Sequence, residues 1–154
     1  MPTSPLKILV TGGAGYIGSH TGRQLLAAGH QVTVVDNLYS GHRWAVPPTA
    51  DFHQLDVSDK TAMSSLLRQQ RIDAVIHFAG HIVVPESVAE PAKYYRNNVV
   101  ASLNLILACC ASGVGFFIFS SSAAVYGDPE QVPVAEHHPT IPVNPYGRTK
   151  LITE

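Results

Sequence analysis

The chain has 154 residues, enough for one domain with a real core. Hydrophobic residues make up 45% and charged residues only 14%, which excludes a disordered or nucleic-acid-coating chain and favours a well-buried sheet. The net charge of −1 leaves no basic footprint for nucleic acid, and no apolar run approaches the roughly 18 residues that cross a bilayer.

In chain order, Met1 to Pro5 is a short polar lead-in, not a signal peptide. A first strand is predicted over Lys7 to Thr11. A glycine turn follows, with Gly12, Gly15 and Gly18 in a Gly-x-x-Gly-x-x-Gly pattern. Gly12 permits a sharp turn, Gly15 lets backbone approach a pyrophosphate, and Gly18 lets the next helix pack on the strand. That helix, Tyr16 to Ala28, places Ile17, Thr21, Leu25 and Ala28 at helical spacing and stops at Gly29. Its N-terminus offers unpaired N–H groups to phosphates.

Gln31 to Val35 reads as a second strand ending at Asp36, 18 residues past Gly18. After a loop to Ala50 comes a third strand, Phe52 to Leu55, closed by Asp56 and Val57. Ser58 is the expected N-cap of a helix over Asp59 to Gln70. A fourth strand, Ala74 to Phe78, leads through Ala79, Gly80 and a loop containing Pro85 to a long helix from Pro91 to Ala111. Its apolar positions are Tyr95, Val99, Leu103, Ile106 and Cys110, and Gly113 and Gly115 end it. Phe116 to Ser120 is a fifth strand with an open edge. A proline-rich loop then precedes a last helix, Tyr146 to Glu154.

Strands this short and apolar, alternating with helices, predict an α/β fold: a doubly wound parallel sheet in the order 3-2-1-4-5. The ligand belongs at the carboxyl ends of the strands, where Gly12, Asp36, Asp56, Phe78 and Ser122 would gather. Asp36 can accept both hydroxyls of an adenosine ribose and would repel a 2′-phosphate, so NAD is expected over NADP. Arg43, close in sequence, keeps NADP open. Asp56 offers a bond to the adenine amino group with Val57 against the ring, or plain helix capping. Tyr146 and Lys150 are four apart on one helix face, and an ammonium near a phenol favours the phenolate. With Ser122 beyond the fifth strand they form a candidate catalytic trio. Cys109 and Cys110 are adjacent and lack metal spacing. The scattered histidines give no ligand set, so no metal is expected, and a reducing cytoplasm fits best.

The stretches Thr11–His20, Val35–Leu38, His77–Gly80, Pro85–Ser87, Tyr94–Asn98, Phe119–Gly127 and Pro145–Lys150 together resemble the N-terminal part of the extended short-chain dehydrogenase/reductase family, in its sugar-nucleotide 4-epimerase branch. The resemblance implies NAD as a tightly held cofactor. It implies that backbone at Tyr16 and Ile17 meets the pyrophosphate, Asp36 and Asn37 the adenosine ribose, and Asp56 and Val57 the adenine. It further implies that Phe78, Ala79, Gly80 and Asn97 run along the cofactor and that Ser122, Tyr146 and Lys150 are catalytic. The activity implied is C4 epimerisation of a UDP-hexose through a 4-keto sugar, with homodimers common in the family. Ser121 to Val125 lacks the acid of the related dehydratases. Ile82 stands where many such epimerases carry lysine, which leaves room for another sugar nucleotide such as UDP-glucuronate. Family members continue well beyond a position equivalent to Glu154. The expectation is therefore an incomplete NAD-binding domain over residues 1–154, with the C-terminal sugar-nucleotide domain absent. Such a chain should be inactive alone, or should act as a non-catalytic NAD-binding module.

Overall fold

The computed structural model describes residues 4–154, so Met1 to Thr3 of the polar lead-in lie outside the described residues. Five strands form one parallel sheet in the order β3-β2-β1-β4-β5. They are β1 (Lys7–Thr11), β2 (Gln31–Asp36), β3 (Asp51–Gln54), β4 (Ala74–His77) and β5 (Phe116–Phe119). The helices are α1 (Tyr16–Ala27), α2 (Lys60–Gln70), α3 (Val84–Ala89), α4 (Pro91–Tyr94), α5 (Ala101–Ser112) and α6 (Pro145–Thr153). The described residues divide into two compact units. One holds residues up to Ala79 with Asn104–Ser120; the other holds Gly80–Leu103 with Ser121–Glu154.

The first unit contains the whole sheet. Its register aligns the strand ends: Thr11 pairs with Val35 and His77, and Asp36 with Gln54. Alternate residues of a strand face one side. Accordingly Ile8 and Val10 of β1 join Val32 and Val34 of β2 in one apolar cluster with Val46 and Ala74. Leu25, Leu26, Phe52 and Phe78 pack against it. Burying each large aliphatic side chain contributes about 2 kcal/mol, which is why β-branched runs here become central strands. Phe116 and Ile118 of the edge strand β5 are exposed.

Several sequence expectations need correction. In α1 the buried residues are Gly18, Ser19 and Gly22, while Ile17 is 59% exposed. The helix approaches its neighbours through small side chains and not through the expected apolar stripe. The third strand begins one residue early, at Asp51. Asp59, not Ser58, caps α2: its Oδ1 accepts from Ala62 N at 3.0 Å. Ser58 N instead donates to Asp56 Oδ1 at 2.8 Å, in a turn that precedes the helix.

In the second unit, the expected loop around Pro85 contains α3, with proline in the first helical turn, where its missing N–H costs nothing. The long helix is interrupted by a π turn over Tyr95–Val100. The buried face lies one position before the expected stripe along the whole length: Tyr94, Asn98, Ala101 and Ser102 here, and Leu105, Ala108 and Cys109 in the part of α5 that belongs to the first unit, while Leu103 is 52% exposed and Cys110 is also exposed. Among the described residues no helix is long and apolar enough to cross a membrane.

Candidate functional site

The first unit gathers the glycine turn and Asp36 past the ends of β1 to β4. Gly12 has φ +68°, and a Cβ there would lie 2.7 Å from Ala79 N, so both the turn and its neighbour require glycine. Gly12 N donates to Val35 O at 2.8 Å, and Phe78 N to Thr11 O at 3.1 Å, fixing the turn between β2 and β4. Below it, the Thr11 hydroxyl lies 2.6 Å from Nδ1 of the buried His77. Gly18 acts differently from the expectation. Its Cβ would lie 2.3 Å from Gly12 O and 2.8 Å from Gly13 Cα, so it lets α1 fold onto the turn itself. The residue that meets the strands is Gly13, whose Cβ would lie 2.7 Å from Val34 Cγ1. At Gly15 a Cβ would meet only Gly12 O, at 3.3 Å, leaving space in front of the turn. No side chain caps α1 at Gly15. The first-turn N–H groups, those of Tyr16 and Ile17 among them, have no partner inside the helix. They point with the positive end of the dipole, a setting suited to a phosphate.

Asp36 is buried, not a solvated strand-end charge. Its Oδ2 accepts from Ala14 N at 3.0 Å and its Oδ1 from Leu38 N at 2.8 Å. A carboxylate has about four lone-pair sites, so two remain for hydroxyl donors. The loop beyond Asp36 returns to the glycine turn: His42 N donates to Ala14 O at 2.9 Å, and a Cβ at Gly41 would lie 2.9 Å from Asp36 Oδ1. Gly41 is a part of the cradle that the sequence reading passed over; its signal was a glycine five residues past the acid. Asn37 Nδ2 donates to Asp56 Oδ2 at 2.8 Å, which joins the ends of β2 and β3. Val57 is buried. Phe78 is half-buried against the apolar cluster and Ala79 sits against Gly12. Arg43 is engaged by Phe52, its guanidinium carbon 4.5 Å from the ring centroid.

The second unit holds the catalytic candidates together with Gly80 and Asn97. Ser122 caps a short turn, Ala123–Val125, accepting from Ala124 N at 3.2 Å. That turn packs on α6: a Cβ at Gly147 would lie 2.5 Å from Ala124 O. Gly147 follows Tyr146, so its lack of a side chain lets the Ser122 turn approach the helix start. Asn144 caps α6, accepting from Gly147 N at 2.8 Å. Tyr146 is half-buried, and Lys150, one turn later, is only 4% exposed. Burial pushes the Lys150 ammonium down to about 8, so it stays largely protonated at neutral pH.

A Cβ at Gly80 would lie 3.9 Å from Lys150 Nζ and 3.3 Å from Asn98 Oδ1. Asn97 is half-buried and donates from Nδ2 to Asn98 Oδ1 at 3.0 Å. The buried clamp in this helix is its neighbour Asn98, which the sequence reading missed. Asn98 accepts from His81 N at 2.8 Å, and its Nδ2 donates to His81 O at 3.0 Å and Thr149 Oγ1 at 3.1 Å.

The chain matches the model of the NAD dependent epimerase/dehydratase family over residues 8–154. It is 51% identical over 149 residues to a UDP-glucose 4-epimerase of Lactobacillus helveticus, which covers 97% of this chain and 45% of that protein. Its structure is similar to the crystal structure of UDP-glucose 4-epimerase from Brucella ovis in complex with NAD: TM-score 0.93 and 46% identity, over 96% of this chain and 45% of that one. It is likewise similar to UDP-glucose 4-epimerase with UDP-glucose from Thermotoga maritima: TM-score 0.92 and 39% identity, over 96% and 48%. The chain spans about half the length of the curated relatives it matches.

Proposed function

The chain belongs to the NAD dependent epimerase/dehydratase family, and from that premise we propose that it supplies the NAD-binding and proton-transfer parts of a UDP-glucose/UDP-galactose 4-epimerase. The residues fit a dinucleotide: the uncapped first turn of α1 faces open space at Gly15, and a buried carboxylate with acceptor capacity lies beside it. In this reading the N–H groups of Tyr16 and Ile17, with Gly12, Gly15 and Gly18, hold the pyrophosphate. Asp36 and Asn37 hold the adenosine ribose, and Asp56 and Val57 the adenine. Phe78, Ala79, Gly80 and Asn97 line the rest. NAD rather than NADP is favoured because Asp36 would repel a 2′-phosphate and Arg43 is engaged by Phe52.

NAD, when bound, supplies the acceptor and donor of the hydride at sugar C4. Tyr146 takes the proton of the 4-hydroxyl, and Ser122 orients that hydroxyl. The Lys150 ammonium, one turn away, favours the phenolate form of Tyr146. The 4-keto sugar turns over, and Tyr146 returns the proton to O4 with the configuration at C4 inverted. The observation that carries this reading is a lysine buried one helical turn past Tyr146, on a helix whose start packs against the Ser122 turn. The names of the similar proteins support a UDP-hexose as substrate; UDP-glucuronate is the competitor to assay, given Ile82.

In the same proposal, the 154-residue polypeptide binds NAD but does not turn over a UDP-sugar by itself. Its span of about half its relatives supports this. A homodimer is supported by Val100 and Leu103, both exposed and three residues apart on helical backbone. Two free cysteines suit the cytoplasm. Isothermal titration calorimetry of the chain with NAD and NADP, alongside a UDP-galactose assay, tests both parts. Heat with NAD, weaker heat with NADP and no turnover are expected. Absence of NAD binding overturns the first part, and turnover by the chain alone overturns the second.

A further inference from the structure

A helix cannot satisfy its own first N–H groups, and at α6 each of them has an identifiable fate. Pro145 has no N–H. Gly147 N donates to Asn144 Oδ1 at 2.8 Å, and Arg148 N to Asn144 O at 3.0 Å. The remaining one, Tyr146 N, leaves its own helix: it donates to Ser87 Oγ on α3 at 3.2 Å. Ser87 is wholly buried, and its single O–H donates to Val84 O at 2.7 Å. The oxygen is thereby left as an acceptor aimed at Tyr146.

The short helix that carries Ser87 is itself held. Tyr94 Oη accepts from Val83 N at 3.0 Å and lies 2.7 Å from Val83 O and 2.8 Å from Glu86 Oε2. Lys93 Nζ donates to Glu86 Oε1 at 2.5 Å. The other side of the Tyr146 residue is fixed as well. Its carbonyl accepts from Thr149 Oγ1 at 2.7 Å, and Thr149 in turn accepts from the buried Asn98 at 3.1 Å. The backbone on both sides of the Tyr146 side chain is therefore tied by buried groups, one from α3 and one from the π turn. Moving a reacting group by about 1 Å can cost two orders of magnitude in rate, so such ties matter to a proton-transferring residue.

We propose that Ser87 is a positioning residue for Tyr146, its hydroxyl setting where the phenol stands by holding the Tyr146 N–H. The inference rests on Tyr146 being the proton-transferring group, and deepens that reading. Ser87→Val and Ser87→Thr are of nearly equal shape and differ in the hydroxyl. In the 154-residue chain, NMR amide exchange should show a protected Tyr146 N–H in the wild type and Ser87→Thr. Exchange should be at least tenfold faster in Ser87→Val. In the chain joined to the remaining half of the Brucella ovis relative, Ser87→Val should lower kcat at least tenfold with KM for UDP-glucose unchanged, and Ser87→Thr should restore it.

A Tyr146 amide that exchanges in the wild type as fast as an exposed one overturns the proposal without any variant. So does a wild-type kcat in Ser87→Val, or equal impairment in both variants. If Tyr146→Phe keeps full activity in the joined protein, the reading of Tyr146 fails and the proposal with it; the exchange arm then still decides whether Ser87 holds that amide.

Discussion

Gly18→Ala sets two physical effects against each other. Gly18 lies in α1 with ordinary helical backbone, and alanine in a helix is more favourable than glycine by about 1 kcal/mol. Propensity alone therefore predicts a more stable protein. The structure predicts the reverse. The new Cβ would lie 2.3 Å from Gly12 O, 2.8 Å from Gly13 Cα and 2.9 Å from Gly12 C, all backbone atoms of the turn. To reach ordinary contact α1 must retreat by about 1 Å. Overpacking of this kind costs about 3 kcal/mol where no side chain can swing away. The net loss is about 2 kcal/mol, or roughly a 6 °C fall in Tm for a chain of this size.

Gly29→Ala is the control. Gly29 has φ +88° with nothing within 4 Å of its Cβ, so only the backbone term of about 1 kcal/mol applies. Thermal and urea unfolding of both variants, followed by circular dichroism, gives the comparison. Calorimetry should also show weaker NAD binding for Gly18→Ala, because the retreating helix withdraws its first-turn N–H groups. A Gly18→Ala protein as stable as the wild type, or more so, would mean that α1 and the glycine turn do not meet through Gly18.

Asp36→Ala removes the acceptor of two backbone N–H groups and should lose about 2 kcal/mol of stability as well as the preference for NAD over NADP, read by the same methods. Lys150 gives a pH signature. Its folded-state value is depressed from 10.5 to about 8, so between those limits the unfolded chain binds more protons and stability rises with pH, by about 3 kcal/mol across the window. Cys109, raised from 9.0 to about 12 by burial, and Tyr94, raised from 10.0 to about 12, act in the opposite sense as pH rises through their unfolded-state values. The measurement is therefore the wild type minus Lys150→Met in urea unfolding from pH 7 to 10.5. A flat difference would contradict the buried ammonium.

The sheet was legible in the sequence because β-branched apolar runs bounded by Gly, Asp and Asn leave few other ways to bury Val10, Val34 and Val75. The glycine turn was legible for the same local reason, since Gly12 and Gly29 mark positions where the backbone must turn with positive φ. Helix faces were harder to read. The stretch after Pro91 carries apolar or aromatic residues at adjacent positions, Tyr94 with Tyr95 and Val99 with Val100, so periodicity could not place the buried face to within one residue. That is why Asn98, buried and held by four side-chain hydrogen bonds, lay hidden behind Asn97. The helix around Ser87 was missed because Val83, Val84 and Pro85 read as extended chain, although a proline in the first turn was an available signal. The role of Gly18 depended on a tertiary contact with Gly12 that spacing alone does not describe.

In the function proposed above, Tyr146, assisted by Lys150, moves the proton in NAD-dependent inversion at C4. The most direct measurement joins this chain to the remaining half of the Brucella ovis relative and compares wild type with Tyr146→Phe, assaying UDP-galactose turnover and NAD binding on the same samples. Turnover is expected in the wild type and a loss of at least a hundredfold in kcat for Tyr146→Phe, with NAD bound equally by both. Equal turnover in the two proteins would contradict that role of Tyr146.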